Sequence, residues 1–186
     1  MSCFTALSPE QIYSVALSAG FPPATAVQMT AIALRESGGC ADASNVRDPG
    51  TNGPGDPGEA SYGLWQINVG PNGNYRLLSQ LGVTADQLLD PAVNAAAAYS
   101  LWGGNDNNLN IAWYINRTGP PYYYAEKYQQ NIPVAQAAQD NVLGAGVNVA
   151  QAGAGMANVF GSADILGGSG VLVLAAALAL FLVLRK

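Results

Sequence analysis

The sequence predicts a mainly α-helical globule followed by a C-terminal membrane-spanning helix, and three observations lead there. Apolar residues recur at helical spacing through roughly the first 130 residues, between glycine and proline stops. No segment shows the plain alternation of a half-buried strand. The stretch from Ile165 to Leu184 carries no charge at all. The chain of 186 residues therefore divides into a globular domain over 1–131, an Ala/Gly-rich linker or small-residue helix over 132–164, and a transmembrane helix with a basic end over 165–186.

The first helix opens at Ser8-Pro9-Glu10-Gln11, where Ser8 caps, Pro9 takes the first helical position and Gln11 completes a capping box. Ile12, Val15, Ala16 and Ala19 share one face until Gly20, and Phe21-Pro22-Pro23 makes a corner. A second helix over 24–37 presents Val27, Ala31 and Leu34, with Glu36 in its last turn. The stretch 38–60 reads as a long loop, rich in glycine, proline and Asp/Asn, of the kind that forms lids or binding loops. Helical pieces resume at about 75–81 and 85–89. A longer helix runs from Pro91 to Trp102 before Gly103-Gly104, and two more cover about 109–116 and 122–130. From Ile132 the composition turns to Ala, Gly, Gln, Asn and Val, which suits either a flexible linker or a helix that packs on copies of itself.

Charge and residue usage exclude several kinds of function. There are 7 Lys+Arg against 12 Asp+Glu, a net charge of −5, so nucleic acid is not an expected partner. Histidine is absent, which removes Ser-His-Asp and Cys-His catalysis and histidine-ligated zinc. Cys3 and Cys40 are too far apart for a CxxC motif. Two free, buried thiols are the plainer reading. One disulfide tying the N-terminus to the segment after Glu36 is the other. Residues 1–7 show no signal peptide. At the other end, twenty helical residues reach about 30 Å, the thickness of a bilayer core. Arg185-Lys186 then close the span as at a cytoplasmic end.

Chemistry concentrates in two places, Arg35-Glu36-Ser37-Gly38-Gly39 and Ser61-Tyr62-Gly63-Leu64-Trp65-Gln66-Ile67-Asn68. A carboxylate at a helix C-terminus is disfavoured when ionised, which pushes Glu36 towards the protonated form an acid catalyst needs. Together the two segments resemble the catalytic core of lysozyme-like lytic transglycosylases, which carry Glu-Ser at a helix end and Gly-Leu-x-Gln after it. Ala112-Trp113-Tyr114-Ile115-Asn116 stands where that family shows Ala-Tyr-Asn-x-Gly, with Trp113 for the tyrosine, Tyr114 for the asparagine and Asn116 for the glycine. Tyr124-Ala125-Glu126-Lys127 is similar to its closing Tyr-Val-x-Lys. The likeness covers about 8–130 and implies a lysozyme-like globule, with two or three short strands ordinary between 45 and 68.

The resemblance implies cleavage of peptidoglycan between N-acetylmuramic acid and N-acetylglucosamine. Glu36 is then the acid and afterwards the base, and the product is a 1,6-anhydro sugar. Ser37 steadies the glutamate or the substrate, or simply bonds the backbone at the helix end. Gly63 lets the backbone approach the sugar, Leu64 completes the motif, and Gln66 and Asn68 bind N-acetyl groups. Tyr99, Trp113, Tyr114 and Tyr124 complete the expected substrate contacts, Tyr99 with a core tyrosine as the equal alternative. Trp65 and Ile67 read as core, and Tyr62 as either flank or core. No metal site and no cofactor are expected.

Hydrolysis would need a second carboxylate, for which Asp48, Asp56 and Glu59 are the candidates. A hydrolytic lysozyme and a membrane-anchored structural protein that only binds glycan are the alternatives. A wall-cutting domain joined to a C-terminal span, with its tail free to self-associate or to meet other virion proteins, fits a bacteriophage virion enzyme that opens the wall during entry. A host membrane-anchored transglycosylase is the second location.

Overall fold

The computed structural model describes residues 3–51, 57–71, 73–116 and 123–145, the side chains of Tyr123 and Tyr124 excepted. Helix α1 spans Pro9–Ser18, and its start is the expected capping box: the Gln11 N–H donates to Ser8 Oγ, and the Ser8 N–H donates to Gln11 Oε1. Helix α2 spans Pro23–Glu36. Two prolines launch it, and Gly38 and Gly39 stop it in left-handed backbone, at φ of 65° and 85°.

The stretch that reads as a loop by composition carries the short strands that the resemblance implies. Strand β1 (Ser44–Arg47) pairs antiparallel with β2 (Glu59–Tyr62), which pairs with β3 (Ile67–Asn68). The strands are only two to four residues long, too short for alternation to register in the sequence. Helix α3 (Tyr75–Leu81), a 3₁₀ turn (Asp86–Leu89), α4 (Pro91–Trp102) and α5 (Asn107–Trp113) follow. The expected helix over 109–116 thus starts and stops earlier, ending where Tyr114 turns left-handed.

Helix α6 is the larger departure. It runs over Tyr123–Gly144, through the expected boundary at 131, and packs on α1 and α2. Ala135, Ala138 and Val142 are buried there, and Gln139 Nε2 donates to the Tyr13 hydroxyl at 3.2 Å. Of the two forms expected for 132–164, the described part is helix and belongs to the core. The membrane-spanning segment expected at 165–186 lies outside the described residues. Among those described, no helix is long and apolar enough to cross a membrane.

The core gathers around α2, whose Met29, Ala31, Ile32 and Ala33 are fully buried with Ile12, Leu64, Trp65, Leu88 and Leu109. Each large side chain among them contributes about 1.5–3 kcal/mol by leaving water. The cysteines correct the plainer reading: Cys3 and Cys40 are joined in a disulfide with Cα atoms 5.7 Å apart. Backbone pairing already brings them together, because the Ala41 N–H donates to the Thr5 carbonyl and the Leu7 N–H to the Gly39 carbonyl. The Asp42 carboxylate also accepts from the Phe4 and Thr5 N–H groups.

Candidate active site

Glu36 ends α2, and its side chain keeps 20% of its exposure, against 3% for Arg35 beside it. Consecutive helix positions differ by about 100°, so one can enter the core while the other keeps a path to solvent. Nη2 of Arg35 is ion-paired to Glu36 Oε1 and donates to the Trp113 carbonyl at 2.6 Å. Burial is the largest influence on Glu36 and pushes its pKa up; the Arg35 charge and hydrogen bond oppose it, and the negative charge of Glu59 adds to it. The outcome is a carboxyl group held above its ordinary value, as proton donation near neutrality requires.

The segment from Gly63 to Gln66 is fastened from three sides. The Trp65 indole donates to the Met29 carbonyl on α2, and the Trp113 indole donates to the Trp65 carbonyl, both at 2.8 Å. With Arg35 on the Trp113 carbonyl, these bonds close a circuit that begins and ends on α2. Asn94 holds the third side. Fully buried, it accepts from the Trp65 N–H at 3.0 Å and donates to the Tyr62 and Leu88 carbonyls at 2.9 Å. Sequence reasoning passed over Asn94, although a lone amide on an alanine-rich helix face was its signal. It passed over Arg35 as well, within a motif it did single out.

This packing places the side chains of several expected substrate contacts in the core. Leu64 is fully buried and Trp113 is 4% exposed, so neither side chain reaches a cleft. At Gly63 (φ 76°) the Asn94 amide and the Leu88 carbonyl occupy the space a Cβ would need. Tyr99 packs on Phe21 and Trp102 at the opposite end of α2, about 20 Å from Glu36 by helix rise. Ser37 Oγ donates to the Ala33 carbonyl at 3.1 Å, the helix-end role held open for it.

Gln66 and Tyr114 are the two non-glycine residues at positive φ (46° and 52°) among those described, a conformation that persists where surroundings impose it. Gln66 Nε2 donates to the Gly63 and Ala43 carbonyls at 3.0 and 3.2 Å, which ties it to the segment that follows Glu36. Tyr114 is half exposed and directly follows the carbonyl that holds Arg35. Asn68 Oδ1 accepts from the Gly70 N–H at 2.9 Å. Tyr124 lies in the first turn of α6, its side chain outside the description.

Residues 13–118 match the family described as "Lysozyme like domain". The chain belongs to the lysozyme-like domain family. No curated protein and no solved structure matches it. The matched stretch holds Glu36, the sheet, Asn94 and Trp113, the whole of the circuit just described. Membership supports a peptidoglycan substrate and glycosidase or transglycosylase chemistry in general.

Of the second-carboxylate candidates, Asp48 is exposed and Asp56 lies outside the described residues. The charge of Glu59 reaches Glu36. It is already engaged, with Arg47 Nη1 3.1 Å from one oxygen and the Ser61 hydroxyl donating to the other at 2.9 Å. Cys3, Cys40 and Asp42 converge as a metal-ligand set would, but both sulfurs are spent in the disulfide. A cavity of about 490 Å³ between α2 and α6 is lined by Gln28, Ile115, Asn116 and Tyr128 among others. Glu36 does not line it, so the chemistry is assigned to the carboxylate and not to the cavity.

Proposed function

We propose that this lysozyme-like domain is a peptidoglycan lytic transglycosylase with Glu36 as its acid and base. One observation carries the reading: a carboxyl group mostly buried at the end of α2 has its pKa raised by that burial, and among the described residues its ion-pair partner is Arg35 and not a second carboxylate. Glu36 gives its proton to the glycosidic oxygen as that oxygen leaves the muramic acid C1. The carboxylate then takes the proton of the same sugar's 6-hydroxyl, whose oxygen bonds to C1 and closes the 1,6-anhydro ring. Water is not consumed. Gln66, Asn68 and Tyr114 are the substrate contacts that this reading retains.

A hydrolytic second reading is favoured by one fact, the charge of Glu59 acting on Glu36. The two part on product. Full-length chain, Glu36→Gln and Glu59→Gln are incubated with purified peptidoglycan, and the muropeptides are identified by mass spectrometry. Anhydro-ended products that survive Glu59→Gln but not Glu36→Gln establish the transglycosylase. Reducing-end products lost in both variants replace it with the hydrolase. No products from any of the three leave a domain that binds glycan without cutting it.

The place of action is part of the same proposal. A disulfide beside the site suits an oxidising compartment, and the uncharged run 165–184 suits a membrane anchor. We read the chain as a virion-borne enzyme that opens the wall locally during phage entry. Detection in purified, protease-treated particles supports this, and recovery only in host membranes overturns it.

A further inference from the structure

Arg35 is set deeper than the carboxylate it serves, and its guanidinium bonds to backbone as well as to Glu36. We propose that Arg35 is the positioning residue of this site: anchored on the Trp113 carbonyl, it fixes the Glu36 carboxyl group and stabilises the anion left when the proton has gone. The proposal rests on Glu36 being the acid. Its geometry is independent of that reading, with a 3% exposed side chain, an ion pair to Glu36 Oε1 and a 2.6 Å bond to Trp113.

The bond to the carbonyl is what distinguishes this from an ordinary ion pair. A guanidinium held only by Glu36 would be free to leave when Glu36 is protonated. Held also by Trp113, itself bonded through Trp65 to Met29 of α2, it stays in place through both halves of the reaction. A charge fixed beforehand beside the group that becomes negative needs no rearrangement at the moment of transfer. Other charged groups act on the pair as well. Glu59 of β2, paired with Arg47 of β1, opposes ionisation of Glu36. Tyr128 of α6 feels Arg35 and Asp106 in opposite directions. Arg35 is therefore the group that keeps the anion attainable in a site where burial and Glu59 both disfavour it.

The test compares full-length wild type, Arg35→Gln and Arg35→Lys by two readouts: kcat and KM on peptidoglycan across pH, and the titration of the Glu36 carboxyl carbon by NMR, assigned with Glu36→Gln. In Arg35→Gln the Glu36 titration and the alkaline limb of activity should move up together by about one pH unit, with kcat down about tenfold and KM little changed. Arg35→Lys should restore the limb while kcat stays lower, because an ammonium keeps the charge but not the planar two-acceptor fork. A folded Arg35→Gln whose Glu36 titrates as in wild type overturns the proposal. If Arg35→Gln does not fold, Arg35→Lys decides, and unchanged kcat there overturns it. Should wild type cut no glycan, the functional reading fails, and the carboxyl titration alone still judges Arg35.

Discussion

At its N-terminal end α2 lies beside Phe21, Tyr99 and Trp102, whose rings sit 5.2–5.3 Å apart, and beside Asp106. Oδ1 of Asp106 accepts from the Trp102 indole at 2.8 Å and from the Thr25 hydroxyl at 3.3 Å. At its C-terminal end, about 20 Å away, α2 carries Glu36 against the buried guanidinium of Arg35. Both ends hold a carboxylate. One, exposed, gathers neutral donors at the end where the helix dipole favours an anion. The other is desolvated at the end where the dipole disfavours one, and a cation had to be buried beside it. A carboxylate at one end of a helix ties structure together. At the other end, in a drier place, its pKa is raised, which is what the proposed acid role needs.

The contrast is broken most severely by Glu36→Gln. Removing the proton donor should lower peptidoglycan cleavage by about 10²–10⁴-fold, measured by turbidity clearing, while the circular dichroism spectrum is retained. Next comes the covalent tie behind that end. Cys3→Ser opens a disulfide with a sequence separation of 37 residues and should cost about 4 kcal/mol of stability in chemical denaturation. A loss below about 1 kcal/mol would mean that the Asp42 and backbone clamps suffice alone.

A smaller effect has a definite sign. The folded-state pKa of Glu36 is raised, so its contribution to stability is full below the ordinary glutamate value of 4.5 and is lost as pH rises through the raised value. Wild type should therefore lose thermal stability relative to Glu36→Gln across that window, and a pH-independent difference would contradict the raised pKa. The smallest effect is expected at the other end: Tyr99→Phe should leave activity within about twofold, since Tyr99 packs on Phe21 and Trp102 far from Glu36.

The place of Glu36 in the last turn of α2 was legible because punctuation is clear there: an apolar helix, an acid, then two glycines. The helices were legible from periodicity, and the α1 capping box held to the residue. Direction was not legible. Leu64 and Trp113 lie in a motif that surrounds a site, but only packing decides that they face the core. Tyr99 sits on a helix whose far end carries the site's neighbours, and no spacing rule separates the two ends. The strands are too brief to show as alternation and entered only through the resemblance. The extent of α6 was hidden by Pro133 and a composition that also suits a linker. Arg35 was read as a flank of Glu36 because a buried arginine looks in sequence like a solvated one.

The bonds from Met29 to Trp65, from Trp65 to Trp113 and from Trp113 to Arg35 have the character of a braced frame whose fourth side is α2 itself. A frame with every brace in place resists shear, and with one brace cut the others bear little load. Trp65→Phe and Trp113→Phe each remove one indole donor and keep much of the ring. Together they should therefore destabilise the chain by clearly less than the sum of the two, a double-mutant coupling of roughly 0.5 kcal/mol or more. The stiffness at Glu36 would then be a property of a closed figure and of no single bond within it.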